Sequence, residues 1–232
     1  VNPLHSRRVF DYVSRHLVCK VPLRERRIAL TFDDGPNPQL TPRLLRLLDV
    51  HGARATFFLI GRHVERWPHL AAEIARGGHE IGNHSQNHLL LPLLPRQMLL
   101  REMRRADSAI HAATGLRPQL FRPPMGWFNR RMLRTLAEHG YRAVLGDVYP
   151  QDTQRPGITT IVDRVLARVA PGSIVILHDG SLLRADRTQS IDAIEAILPR
   201  LRDDGWVLGT VSELLAAAAS ELDADNAARA SA

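Results

Sequence analysis

The sequence predicts one α/β domain on a parallel sheet, an incomplete or distorted (β/α) barrel of about seven strands. Three observations carry the prediction. Short apolar, β-branched runs alternate with amphipathic stretches of helical period, no long antiparallel meander intervenes, and polar residues gather where the apolar runs end. The 232 residues, 44% hydrophobic, suffice for one sizeable core.

The elements follow in order. Ile28 to Phe32 reads as a buried strand. Thr41-Pro42 reads as an N-cap with proline at the first helical position, Leu44, Leu45, Leu47 and Leu48 as that helix's apolar face, and Gly52 as its end. "ATFFLIG" is a second strand, and a helix from His63 to Arg76 stops at Gly77-Gly78. "HEIGNH" is a short third strand, followed by a leucine-rich loop and a charged helix from Pro95 to Ala113. "QLFRPP" is a strand, and Asn129 caps a helix that Gly140 closes. "YRAVLGD", a helix over Thr159 to Val169, the strand "SIVILHD", a helix over Thr188 to Arg202, "WVLGT" and a helix capped by Ser212 complete the series. Residues 1–26 read as an irregular basic extension, 27–215 as the α/β body, and 216–232 as an Ala-rich, frayed tail.

Composition excludes some classes of function. No run of roughly eighteen apolar residues is present, so no transmembrane segment is predicted. Cys19 is the only cysteine, which rules out an internal disulfide. The compartment stays open: cell envelope or exterior if a targeting segment preceded Val1, cytoplasm otherwise. The formal charge of +7 raises nucleic acid as a partner. Yet Lys20 is the only lysine, and the arginines are interspersed with acids, as in Arg24-Glu25-Arg26. No basic stripe or recognition-helix spacing is present, so no specific nucleic-acid partner is expected. The oligomeric state is not legible.

The polar residues at strand ends carry the chemistry. Asp33 and Asp34 close the first strand, His84 and His88 follow the third, Arg122 ends "QLFR", Asp152 follows "VLGD", and His178 ends "SIVIL". In α/β barrels the C-terminal rim is where catalysis sits. His84 and His88, four apart, would lie on one side of a helical turn and suit a metal. That spacing alone is common on solvent-facing turns, and a carboxylate from another strand end raises its meaning. One carboxylate and two imidazoles make a three-ligand site with open positions, the catalytic type. Adjacent aspartates repel, so the pair needs different partners. An Asp-Gly turn would explain Asp34 but leaves Asp33 beside a second buried charge.

In order, "TFDDGP", "HSQNH", "RPPMG", the Asp of "PQDT" and "ILHDG" resemble the five motifs of the polysaccharide deacetylases, the NodB-homology enzymes of carbohydrate esterase family 4. "ATFFLIG" and "GHEIGNH" also resemble the family's flanking strands, so the likeness spans roughly Arg27 to Leu215. The resemblance implies metal-dependent hydrolysis of N-acetyl groups from N-acetylglucosamine units of a chitin-like polymer, peptidoglycan or an exopolysaccharide. It implies Asp33 as general base, Asp34, His84 and His88 as metal ligands, and Arg122 as the guanidinium holding the base. It further implies His178 as general acid, oriented by Asp152, and the Met125 backbone N–H as half of an oxyanion hole. The metal would be Zn²⁺ by ligand type, with Co²⁺ or Mn²⁺ also compatible. Ile176 keeps the expected apolar wall. Two positions depart from the family pattern: Met125 stands where an aromatic is usual and Thr153 where Trp is usual. Both predict a wider rim on the sugar side. The other histidines (His5, His16, His51, His63, His69, His79, His111 and His139) read as surface or packing residues. Rival readings are an O-acetyl esterase or cyclic amidohydrolase on the same scaffold, and a non-catalytic polyanion-binding protein.

Overall fold

The computed structural model describes residues 16–181 and 186–230; His5 and most of the expected basic extension fall outside them. Eight strands form one parallel sheet: β1 (Leu17–Val18), β2 (Arg27–Asp33), β3 (Thr56–Leu59), β4 (Glu80–Asn83), β5 (Leu120–Phe121), β6 (Arg142–Val144), β7 (Ile174–His178) and β8 (Val207–Gly209). Their order is β1-β6-β5-β4-β3-β2-β7, with β8 pairing the start of β2. The sheet curls but does not close. Between the β1–β6 side and β7, two isolated bridges, Lys20 to Ser173 and Val148 to Val175, span the gap among the described residues.

Among the described residues, eight α-helices cover the outside: α1 (Thr41–Val50), α2 (Gly61–Arg66), α3 (Pro68–Arg76), α4 (Arg96–Thr114), α5 (Arg130–Glu138), α6 (Ile158–Leu166), α7 (Thr188–Asp203) and α8 (Val211–Ala230). The main core lies between the sheet and these helices, with Phe32, Phe57, Leu44, Val175, Ile194 and Leu198 fully or almost fully buried. Asn129 caps α5 as expected, its Oδ1 accepting from the Met132 N–H at 2.9 Å.

Several local readings change. Thr41 does not cap α1; its hydroxyl donates to Asp179 and accepts the Asn37 N–H at 2.8 Å. The helix expected over His63–Arg76 is two helices, broken at Trp67-Pro68, where proline has no N–H to donate to a continuous ladder. The last helix is capped not by Ser212 but by Thr210 and Glu213, which exchange side-chain-to-backbone bonds as a capping box. Ser212 bonds Glu80 instead. That helix runs unbroken past residue 216, and Arg24 bonds Glu221 and Asp225 on it. Leu17–Val18, in the stretch read as irregular, forms the edge strand beside β6. No helix among the described residues is long and apolar enough to cross a membrane.

Candidate active site

Register places the site. Asp33 lies beside His178 across β2 and β7, and Asn83 beside Phe121 across β4 and β5. Each of His84 and Arg122 comes one residue later, so both emerge at the same rim. Together with Asp34, His88, Met125, Tyr149, Thr153 and Ile176 they line one cleft of about 690 Å³.

The two aspartates part because the backbone turns between them. Asp33 is the last residue of β2, while Asp34 takes a left-handed conformation at φ 71°. The turn packs tightly: a Cβ on Gly180 would lie 2.0 Å from the Asp34 carbonyl oxygen, which only glycine allows. Arg122 is fully buried and donates to Asp33 Oδ1 at 2.7 Å, to the Thr31 hydroxyl at 2.6 Å and to the Leu145 carbonyl at 2.7 Å. Its guanidinium also sits 4.0 Å from the centroid of Phe58. Burial would raise the Asp33 pKa, but the charge and hydrogen bond of Arg122, together with His84 and His178, outweigh it and hold the carboxyl below its usual range.

Asp34 faces the histidines. Its Oδ1 lies 3.6 Å from His84 Nε2 and 3.4 Å from His88 Nε2, and it is buried without a hydrogen-bond partner. The His84 Nδ1–H donates to the Arg122 carbonyl at 2.8 Å, which leaves Nε2 bare toward Asp34. Burial pushes both imidazoles down to about 4, so they are neutral near pH 7, as ligation requires. Asp34, His84 and His88 offer ligand atoms all within 4.8 Å of one another. The donor set of one carboxylate and two neutral imidazoles, with an orphaned buried carboxylate oxygen at its centre, fits a divalent cation. The two histidines meet through a loop rather than on a helix. His88 holds a left-handed φ of 56° after the turn at Ser85, and this backbone, not helical spacing, brings the rings to 4.9 Å.

Across the cleft, Asp152 is fully buried and accepts three hydrogen bonds. They come from His178 Nδ1 at 3.0 Å, the His178 backbone N–H at 2.9 Å and the Ser190 hydroxyl at 2.8 Å. Burial would lower the His178 pKa; the charge and hydrogen bond of Asp152, helped by Asp33 and Asp34, outweigh it and push it up to about 9. Ile176, two residues before His178 on β7, lines the same cleft.

The rim differs from the sequence expectation. Met125 is exposed, in a left-handed conformation within the turn Pro124–Gly126. The expected opening at Thr153 is occupied by Tyr149, whose hydroxyl lies 2.6 Å from Thr153 Oγ1 and whose ring centroid is 6.2 Å from that of His178. An aromatic four positions upstream of Thr153 therefore flanks His178. Its signal was present as "VYPQDT", but position 149 carried no motif of its own. Arg187, also missed, lines the cleft wall and donates to the Thr153 carbonyl at 2.9 Å. His63 is not a bare surface residue either: its Nδ1–H donates to the Asp34 carbonyl at 2.8 Å. His79 is buried against Phe57, as a packing residue would be.

Comparison with known proteins follows the same lines. The sequence profile of the polysaccharide deacetylases matches residues 20–144. The chain is 41% identical over 202 residues to a peptidoglycan-N-acetylglucosamine deacetylase of Bacillus cereus, covering 86% of this chain and 93% of that one. It is 39% identical over 194 residues to a chitooligosaccharide deacetylase of Sinorhizobium fredii, covering 80% and 90%. Its fold is similar to the crystal structure of the Bc1960 peptidoglycan N-acetylglucosamine deacetylase, with a TM-score of 0.82 at 29% identity over 88% of this chain and 95% of that one.

Proposed function

The chain belongs to the polysaccharide deacetylase family, hydrolases of N-acetyl amides, and we propose that its substrate is an N-acetylglucosamine-containing glycan, with Asp33 as base and His178 as acid. One observation carries the assignment of roles. Two differently tuned pairs, Asp33 with Arg122 and His178 with Asp152, flank the Asp34-His84-His88 cluster in one cleft. A carboxylate held low and an imidazolium held high are poised for base and acid work at the same pH.

An amide is a weak electrophile with a poor leaving group, so both ends of the reaction need help. A divalent metal held by Asp34, His84 and His88, most simply zinc, would supply Lewis acidity toward the acetyl carbonyl and the attacking water. Asp33, kept ionised and oriented by Arg122, takes a proton from that water. His178 gives a proton to the departing nitrogen. Because Asp152 engages Nδ1, Nε2 is the atom left to deliver it. The strained left-handed backbone at Met125, worth roughly 1–3 kcal/mol, supports a role for its N–H as an oxyanion donor. Ile176 and Tyr149 shape the wall against which the acetylated sugar rests.

The test is acetate release from a panel of N-acetylated and O-acetylated glycans, with and without chelator. Chelator-sensitive release from N-acetylglucosamine oligomers is the expected result. Release confined to O-acetyl esters, or full activity after metal removal, would overturn the reading. Asp33→Asn should keep metal content while losing about 10²–10⁴-fold in turnover.

A further inference from the structure

We infer that a groove adjoining the catalytic cleft binds a carboxylate carried by the sugar next to the one being deacetylated, an inference that rests on the glycan deacetylase reading above. The groove encloses about 710 Å³, and its lining includes Arg62, Arg66, Trp67, Asp186 and Arg187. Ser181 and Arg187 line both the groove and the cleft, so the two adjoin and lie within reach of neighbouring sugars of one strand. Three guanidiniums face a single carboxylate among its lining residues.

The arginines of the groove make no ion pairs. Arg62, Arg66 and Arg187 have no carboxylate within ion-pair distance among the described residues. Glu65, the acid between the first two in sequence, pairs away with Arg105 at 3.3 Å. Asp186 is turned to its own chain, accepting from the Thr188 N–H and hydroxyl at 2.8 and 2.5 Å.

Arg187 makes this a built site rather than a solvated face. It is only 9% exposed, and its partners are carbonyl oxygens, Thr153 at 2.9 Å and Gly180 at 3.4 Å. Those bonds fix the side chain at the boundary between cleft and groove without cancelling its charge. The charges of Asp34 and Asp186 reach it without an ion-pair contact, so the buried cation is only partly offset, and an anionic ligand relieves the remaining cost. Arg66 is held as well, its guanidinium 4.8 Å from the Trp67 ring centroid. Planar guanidiniums match a carboxylate in fork geometry, which favours a sugar acid or an ether-linked carboxylate over a neutral sugar.

Two tetrasaccharides of equal length decide the matter. One is the neutral N-acetylglucosamine tetramer, and the other carries a lactyl ether carboxylate on every second sugar. The wild-type KM should be about tenfold lower for the carboxylated tetramer at low ionic strength, with the ratio shrinking toward one as salt rises. The double variant Arg62→Gln/Arg66→Gln should cut the ratio severalfold, Arg187 remaining in place, with the neutral tetramer as reference. Arg62→Lys/Arg66→Lys, which keeps the charge, should retain most of the preference. A wild-type ratio of one, or a preference undiminished in the glutamine pair, overturns the groove while leaving the deacetylase reading intact. If neither tetramer is hydrolysed, the deacetylase reading fails. Calorimetric binding of the carboxylated tetramer to wild type and to the glutamine pair then still decides the groove.

Discussion

Replacing Asp152 with Asn probes the acid arm of the site without altering its volume. Asp152 accepts three hydrogen bonds, two of them on Oδ2 and one, from His178 Nδ1, on Oδ1. An Asn whose carbonyl takes the Oδ2 position keeps two of them and turns its NH₂ toward His178 Nδ1. The imidazole must then lose the Nδ1 proton, and the imidazolium loses its principal counter-charge. The span from the ordinary histidine pKa of about 6.5 to about 9 corresponds to about 3 kcal/mol in favour of the charged ring. With Asp152 neutralised, burial is no longer outweighed, and the pKa falls to about 6.5 or below. At pH 8 the protonated fraction then drops from about 0.9 to about 0.03, roughly a thirtyfold loss of competent acid, whereas at pH 6 the loss is under twofold. The sign follows from the raised pKa: the pair's contribution to stability is full below about 6.5 and is lost as pH rises through about 9. Rate–pH profiles of acetate release from pH 5.5 to 10, with the same metal in both proteins, give the displacement directly. NMR titration of the His178 ring checks its cause. An alkaline limb that stays in place while the rate falls uniformly would refute the reasoning and leave Asp152 a purely structural residue.

Two further outcomes follow from the geometry. Arg122→Ala should lower stability by about 3–5 kcal/mol, read as a shift in the denaturant midpoint, because it strands the buried Asp33 charge; Arg122→Lys should recover little, since one ammonium cannot reach Asp33, Thr31 and the Leu145 carbonyl together. Tyr149→Ala should raise KM for N-acetylglucosamine oligomers about fivefold with kcat nearly unchanged, and Thr153→Trp should bring no gain because Tyr149 already fills that side; an unchanged KM in Tyr149→Ala would remove the ring from the sugar site.

Much of this was open to a reader of the chain alone. Apolar runs such as "RIALTF" and "SIVIL" can only be buried strands, and their spacing by amphipathic helices leaves a parallel sheet as the consistent solution. Because parallel strands share one C-terminal edge, Asp33, Arg122 and His178 had to converge once their strands were paired. The ordered motifs, and the differing partners demanded by adjacent Asp33 and Asp34, were therefore sequence properties.

What the tertiary structure decided lies between segments. His84 and His88 meet through left-handed loop geometry, which depends on how the chain after β4 packs and has no fixed period. Thr41 looked like a helix cap by local rules; its hydroxyl instead bonds Asp179, 138 residues away, because α1 docks against the end of β7. Tyr149 compensates for Thr153 only because the loop after β6 folds its ring back beside His178. Arg187 carries no motif at all, and its meaning comes from the carbonyls that hold it between two hollows. Local patterns report the period and the breaks of the backbone; which side chains face one another across a loop is set by long-range packing, and no local pattern encodes it.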